Sequence, residues 1–76
     1  MPNRLPSVTG REIIRALERG GWELRRSAGG HHHYKHPTRG GLVTVPVHAG
    51  QTLPVWLVKS ILRQAGLTDD EFRDLL

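Results

Sequence analysis

The residues best suited to chemistry are histidines, and four of the chain's five lie between positions 31 and 36. Imidazole is the side chain that gains and loses a proton near neutral pH, with an unperturbed pKa of about 6.5. These histidines lie in a stretch of 45 residues, between Glu23 and Asp69, that contains no carboxylate. Its Lys and Arg residues make a surface that attracts polyanions and repels cations. The pattern favours chemistry on phosphate esters, and therefore RNA.

Alternation along an extended chain divides this segment between two faces. His31, His33 and Lys35 share one face, and the residues between them take the other: His32, Tyr34 and His36. A sheet with helices on one side needs Tyr34 against the helices, so we expect the first set on the open face. Two histidines at i and i+2 stand about 7 Å apart. One ring can then remove a ribose 2′-hydroxyl proton while another polarises the phosphate.

Metal binding is the main rival interpretation, because paired imidazoles suit zinc, copper or nickel. A zinc site usually has a further carboxylate or thiolate ligand, and this stretch has neither; His48 is the only other histidine. We therefore expect no metal and no cofactor. For His32 and His36 we expect packing and hydrogen bonding, and for His31 and His33 a functional role.

Composition narrows the class of protein. The 76 residues predict one domain over residues 1–76, and the absence of cysteine excludes disulfides and thiolate metal sites. The chain has no apolar run that would span a bilayer and no signal-peptide pattern, so we expect a cytoplasmic protein with no membrane partner. Residues 1–68 hold ten Lys/Arg against three acids, which indicates a nucleic-acid binder or the partner of an acidic protein.

The expected elements follow from capping and periodicity. A capping box at 9–12 begins a first helix, which ends at Gly20–Gly21. Extended segments at 22–26, 31–36 and 42–47, separated by turns, predict an antiparallel meander in which Trp22 and Leu24 share a side. A second helix begins near Leu53 or Pro54, buries positions 54, 57, 58, 61, 62 and 65, and ends at Gly66. A capping box at 68–71 adds a short third helix. The predicted class is α+β, in the order α-β-β-β-α.

The histidine segment, Gly29 to Pro37, also resembles a known family motif. Its sequence GGHHHYKHP is similar to the Gly-Ser-His-x-x-(aromatic)-x-His-Pro signature of HicA-type mRNA interferase toxins. The likeness continues in order through residues 5–12, 16–19, 21–22, 43–46 and 59–67. The family has the fold of double-stranded-RNA-binding domains, α1-β1-β2-β3-α2. The resemblance implies a toxin that cleaves single-stranded or messenger RNA and is held inactive by a HicB-type antitoxin covering its active face.

The resemblance also assigns roles to individual residues. The family's catalytic histidine falls on His31, and its preceding glycine on Gly29, where the missing side chain would let RNA backbone approach. The chain departs from the family at Gly30, where serine is usual, and at Trp56–Leu57, where small residues are common.

The residues suggest a mechanism consistent with that family. Our hypothesis is metal-independent phosphodiester cleavage with His31 as general base, and with His33 or Lys35 as the second group. Lys35, Arg25 and Arg26 would stabilise the transition state, because they are cationic donors near the phosphate. On the outer face of the second helix, Lys59 lies near Trp56 and Arg63 and is a further candidate for RNA binding. Trp56 could stack on a base, contact an acidic antitoxin, or simply cover the stems of its neighbours.

Two other classes of function are open. One is a non-catalytic RNA-binding module of the same fold, which would need basic residues at the start of the second helix. Residues 50–56 contain no Lys or Arg, which argues against it. The other is a structural protein whose basic face only binds an acidic partner.

Overall fold

The computed structural model describes residues 5–48 and 50–76. Its elements follow the predicted order: α1 (Gly10–Arg19), β1 (Glu23–Ala28), β2 (His31–Lys35), β3 (Leu42–Pro46), α2 (Val55–Ala65) and α3 (Asp69–Leu75). The three strands form one antiparallel sheet in the order β1-β2-β3. The α+β class and this layout, that of a double-stranded-RNA-binding domain with an added helix, are confirmed. Within the described residues, no helix is both long enough and apolar enough to cross a membrane.

Side-chain caps explain where α1 and α3 begin. The Thr9 hydroxyl accepts a hydrogen bond from the Glu12 amide at 3.2 Å, and the Thr9 amide donates to the Glu12 carboxylate at 2.9 Å. Thr68 and Glu71 make the same pair of bonds at 3.1 and 2.8 Å. Each box satisfies two donors that the first helical turn would otherwise leave unpaired. Both predicted capping boxes are confirmed.

Helix α2 begins at Val55, one residue after its N-cap Pro54, which makes no side-chain cap. It ends at Gly66 as predicted, with φ of 72°. Four of the six predicted core positions are buried: Val58, Ile61, Leu62 and Ala65. Leu57 is half-buried, and the prediction for Pro54 is wrong because that residue lies outside the helix and is exposed.

The core lies between the helices and the two strands β2 and β3. Tyr34, Val43 and Val45 are at most 2% exposed and face the helices, while every residue of β1 is exposed. Leu24 is opposite the buried Tyr34, yet 51% of it remains exposed. Trp22, the residue before β1, is buried. The edge strand β1 extends beyond the area that the helices cover.

The tight turn between β1 and β2 sets the position of His31. Ala28 pairs with His31, which leaves a two-residue loop, Gly29–Gly30, with φ of 57° and 80°. Positive φ at both positions is the geometry of a type I′ hairpin turn, which glycine adopts without strain. The Gly30 carbonyl also accepts a hydrogen bond from the Val47 amide at 2.7 Å. His31 is therefore the first residue of the central strand, beside the end of β3.

The contact between α1 and β3 yields a stability prediction at Gly10. This glycine is buried at the start of α1, and a Cβ there would overlap the carbonyl oxygen of Pro46. Alanine favours helices over glycine by about 1 kcal/mol, but forcing atoms into packed backbone costs about 1–3 kcal/mol. We expect Gly10→Ala to lower the free energy of unfolding, measured by denaturant titration.

A glycine in open space provides the control for this substitution. Among residues 5–48 and 50–76, no atom lies within 4 Å of a Cβ placed on Gly40, so Gly40→Ala should be neutral or slightly stabilising. Equal stability of the two variants would contradict the close packing of α1 on the end of β3.

Candidate active site

Cross-strand pairing arranges the open face of the sheet in three rows, because residues directly opposite each other share a face. Each row is centred on a residue of β2: His31 lies between Ala28 and Pro46, His33 between Arg26 and Thr44, and Lys35 between Glu23 and Leu42. The residues between them face the helices, and Tyr34 is buried. The predicted division of the histidine segment between two faces is confirmed.

The side chain of His31 is accessible. It is exposed, and no described residue forms a hydrogen bond with its ring. Its row neighbours, Ala28 and Pro46, are short and carry no charge. A Cβ on Gly29 would meet no atom of the described residues within 4 Å, so the surface next to His31 is open on their side. This ring can exchange a proton with a bound molecule without first breaking a hydrogen bond to any described residue.

His33 is held in place by a neighbouring strand. Its Nδ1 lies 2.9 Å from the hydroxyl oxygen of Thr44, and the residue is half-buried. The Thr44 amide donates in turn to Oε1 of Gln64 on α2 at 3.0 Å. The ring of His33 is therefore fixed through one nitrogen, which leaves Nε2 for a ligand. The two open-face histidines thus differ: His31 has no hydrogen bond to a described residue, and His33 is oriented by Thr44.

The residues on the opposite face of β2 are remote from this chemistry. Burial, and secondarily the nearby carboxylate of Glu18, raise the pKa of Tyr34 above its ordinary value of 10.0, so the phenol stays neutral. His32 is half-buried in a shallow cleft with Tyr34, Leu24 and residues of α1. Its packing role was predicted, although its ring makes no hydrogen bond with a described residue.

His36 has the structural role expected for it. The Thr38 amide donates to Nδ1 at 3.1 Å, so Nε2 carries the hydrogen and donates to the Gly20 carbonyl at 3.1 Å. The ring also packs edge-on against Trp22, with the ring centroids 4.7 Å apart. His36 therefore joins the segment after β2 to the end of α1.

Two of the basic residues in the carboxylate-free stretch are engaged in internal contacts. Arg39 donates to the carbonyls of Ala65 and Gly66 at 3.3 Å and lies over the Trp22 ring at 5.3 Å, which ties the β2–β3 loop to the end of α2. Lys59 forms an ion pair with Asp69 at 2.7 Å. Lys59 lies on α2 rather than on the open face of the sheet, and its contact with RNA stays a prediction.

The basic residues of β1 lie beside His33. Arg26 is directly opposite His33, and a β-bulge inserts Arg25 as an extra residue between Leu24 and Arg26. Both arginines are exposed, and no described residue pairs with them. A bulge bends and twists its strand locally. It therefore places two cationic side chains close to the middle row.

The expectation of a carboxylate-free surface needs a correction. Glu23 ends the basic stretch in the sequence, but pairing places it opposite Lys35 on the open face. Glu23 is thus two rows from His31 and in the same row as Lys35. Within the described residues, no three His, Cys, Asp or Glu side chains come close enough together to hold a metal ion.

The comparison with known families identifies this arrangement. The family model described as "HicA toxin of bacterial toxin-antitoxin" matches residues 10–67, which include α1, the whole sheet and α2. The chain belongs to the HicA toxin family. A search of curated proteins finds no match. Membership in this family makes the chain a toxin of a toxin–antitoxin system, and it implies an antitoxin partner.

This HicA chain keeps the fold despite its two departures from the family pattern. Gly30 replaces the usual serine at a position with φ of 80°, where a side chain would be strained. At the start of α2, Trp56 is 70% exposed, and the predicted core positions from Val58 onward are buried. Trp56, Lys59 and Arg63 are all exposed, so the predicted outer face of α2 is confirmed.

Thr44 and Gln64 are two residues of the site that were not predicted from the sequence. The strand pattern does predict the face of Thr44. Because it lies between Val43 and Val45, which face the core, its hydroxyl must lie on the open face. Its pairing with His33 was not readable, because the loop between β2 and β3 leaves the register undetermined. The role of Gln64 could not be predicted from the sequence, because exposed glutamines are common on helices.

Proposed function

We propose that this HicA toxin is a metal-independent endoribonuclease that cleaves messenger RNA in the cytoplasm, with His31 as general base. The observation that carries the proposal is the exposed imidazole of His31, which has no hydrogen bond to a described residue and lies on a basic and open sheet face. His31 would take the proton from a ribose 2′-hydroxyl, and the 2′-oxygen would then attack the adjacent phosphorus. The bond from phosphorus to the 5′-oxygen breaks, and that oxygen takes a proton from a second group, His33 or Lys35.

The charges around this site support RNA as the substrate. Arg26 belongs to the row of His33, and Arg25 precedes it in the bulge; both are exposed and would stabilise the negative charge that develops on the phosphate. General acid–base help from one group contributes about 10²–10⁴-fold. Such a site makes a slow nuclease, which is sufficient for a toxin that needs only to deplete messenger RNA. The missing side chain at Gly29 would let the RNA backbone lie close to His31.

The same open face is the surface that we propose for the antitoxin, a HicB-type protein. A partner that covers the row of His31 would block RNA, because His31 is exposed on this face. The positive charge of Arg25, Arg26 and Lys35 favours an acidic partner surface. Lys59, already paired with Asp69, is a weaker candidate for either contact.

The proposal is tested with the purified chain and a single-stranded RNA in the presence of EDTA. We expect cleavage that continues without divalent metal and leaves 2′,3′-cyclic phosphate and 5′-hydroxyl ends. Binding and cleavage should both weaken steeply with salt, because phosphate contacts release counterions. If RNA is bound in a salt-sensitive way but stays intact, the chain is an RNA-binding module. If cleavage requires metal, the proposed mechanism is wrong.

A further inference from the structure

Of the two groups that could protonate the leaving oxygen, the structure favours one. We infer that His33 is the general acid and that Thr44 is the residue that positions it, so that this toxin cleaves RNA with a pair of imidazoles. The inference rests on the proposed function, because it concerns the second proton transfer of the same reaction. It adds a residue pair, His33 and Thr44, that the family motif does not specify.

Distance along the central strand separates the two candidates. At about 3.3 Å per residue, His33 is about 7 Å from His31 and Lys35 is about 13 Å from it. The attacking and leaving oxygens lie on opposite sides of one phosphorus atom. Two imidazoles from adjacent rows can therefore flank a single phosphate. Lys35 is a row farther away, directly opposite Glu23 in the register of β1 and β2.

The contact with Thr44 gives His33 the orientation that an acid needs. The Thr44 oxygen, 2.9 Å from Nδ1, can accept a hydrogen bond from this nitrogen in both the charged and the neutral ring. The Nδ1 proton then stays in place, and Nε2 is the nitrogen that gains and loses a proton. Thr44 is itself anchored, because its amide donates to Gln64. A residue on α2 thus helps to hold a side chain on the opposite face of the sheet.

The proposed step conserves atoms and charge. The proton of the 2′-hydroxyl goes to His31, the bond between the 2′-oxygen and phosphorus forms, and the bond between phosphorus and the 5′-oxygen breaks. The Nε2 proton of the His33 imidazolium goes to the 5′-oxygen. The products are a 2′,3′-cyclic phosphate and a free 5′-hydroxyl. His31 ends charged and His33 neutral, and exchange of one proton with water restores both.

The pH profile of RNA cleavage is affected by every titratable group near His33. Strand β1 contributes Arg25, Arg26 and Glu23, and β2 itself contributes His31 and Lys35. Strand β3 has no titratable residue, and Gln64 of α2 is neutral. The substitution Thr44→Val removes one hydroxyl and alters none of these charges. A changed pH profile in that variant therefore reports the loss of the contact with His33.

The first measurement is independent of activity. The protonated nitrogen of each neutral imidazole is identified by ¹⁵N NMR, in the wild type, in Thr44→Val and in Thr44→Ser. We expect the Nδ1–H form of His33 in the wild type and in Thr44→Ser, and the Nε2–H form in Thr44→Val. The matched control is Thr38→Val, which removes a hydroxyl 3.2 Å from Nδ1 of the structural His36. It should leave His33 unchanged.

The second measurement is the rate of RNA cleavage against pH. A general base must be neutral and a general acid protonated, so the wild-type rate should fall on both sides of an optimum. His33→Gln should lose the fall at high pH and cleave about 10²-fold or more slowly. Thr44→Val should lose about tenfold, the value of one hydrogen bond. Thr44→Ser and Thr38→Val should retain the wild-type profile.

The outcomes separate this inference from the proposed function. If the wild type cleaves and needs His31, but His33→Gln keeps its rate and pH profile, the inference is wrong and the proposed function stands. If the wild type does not cleave RNA, the proposed function fails and the catalytic role of His33 fails with it. An Nε2–H form of His33 in the wild type would overturn the role of Thr44.

Discussion

Replacing His31 by glutamine is expected to slow RNA cleavage by about 10²–10⁴-fold, because it removes the general base. The protein should remain folded, since the side chain is exposed and no described residue bonds to it. The measurement is the single-turnover cleavage rate in EDTA, with circular dichroism to verify the fold. The same variant should lose toxicity when it is produced in cells.

The adjacent residue provides a matched control. His32→Gln makes the same change one position along β2, but on the face that packs against α1. We expect it to retain most of the activity. Equal cleavage by the wild type and His31→Gln would mean that the chemistry lies elsewhere or that the nuclease is a contaminant. Equal loss in both variants would point to damage to the strand rather than to removal of a base.

Replacing Phe72 by alanine is expected to lower the free energy of unfolding by about 3–5 kcal/mol, the usual cost of such a cavity. Phe72 is fully buried, although it belongs to the short final helix α3. Arg19 also holds this helix, because it donates to the carbonyls of Leu75 and Leu76 at 2.7 Å. A domain of this size has a stability near the lower end of about 5–15 kcal/mol. The substitution would therefore remove much of the free energy of unfolding, which denaturant titration measures.

A partly exposed residue with a large apolar side chain provides the control for Phe72→Ala. Leu24→Ala also truncates a large apolar side chain, but 51% of Leu24 is exposed on the edge strand. We expect it to cost less than about 1 kcal/mol, because little area is removed from contact. If the two variants were equally stable, α3 would not be docked on the core in solution.

Local patterns were sufficient to predict the elements of this toxin. The capping boxes at Thr9 and Thr68, and the glycine at the end of α2, depend on residues within one turn of each other. The alternation of β2 predicted which histidines face outward, because side chains on a strand alternate whatever its neighbours are. This alternation, together with the basic residues around it, was enough to make His31 a candidate base, and the family motif selects the same residue.

The sequence by itself thus determined the elements, the faces of β2 and the family, while the tertiary structure decided which residues meet across the sheet. Register brings His33 to Thr44 and Glu23 to Lys35, and a bulge adds Arg25 beside them. These pairings depend on the energy of the whole sheet, since a shift of one residue would satisfy the same local preferences while moving every side chain to the opposite face. Only the packing of β2 and β3 against the helices selects one register, and that register gives His33 its partner.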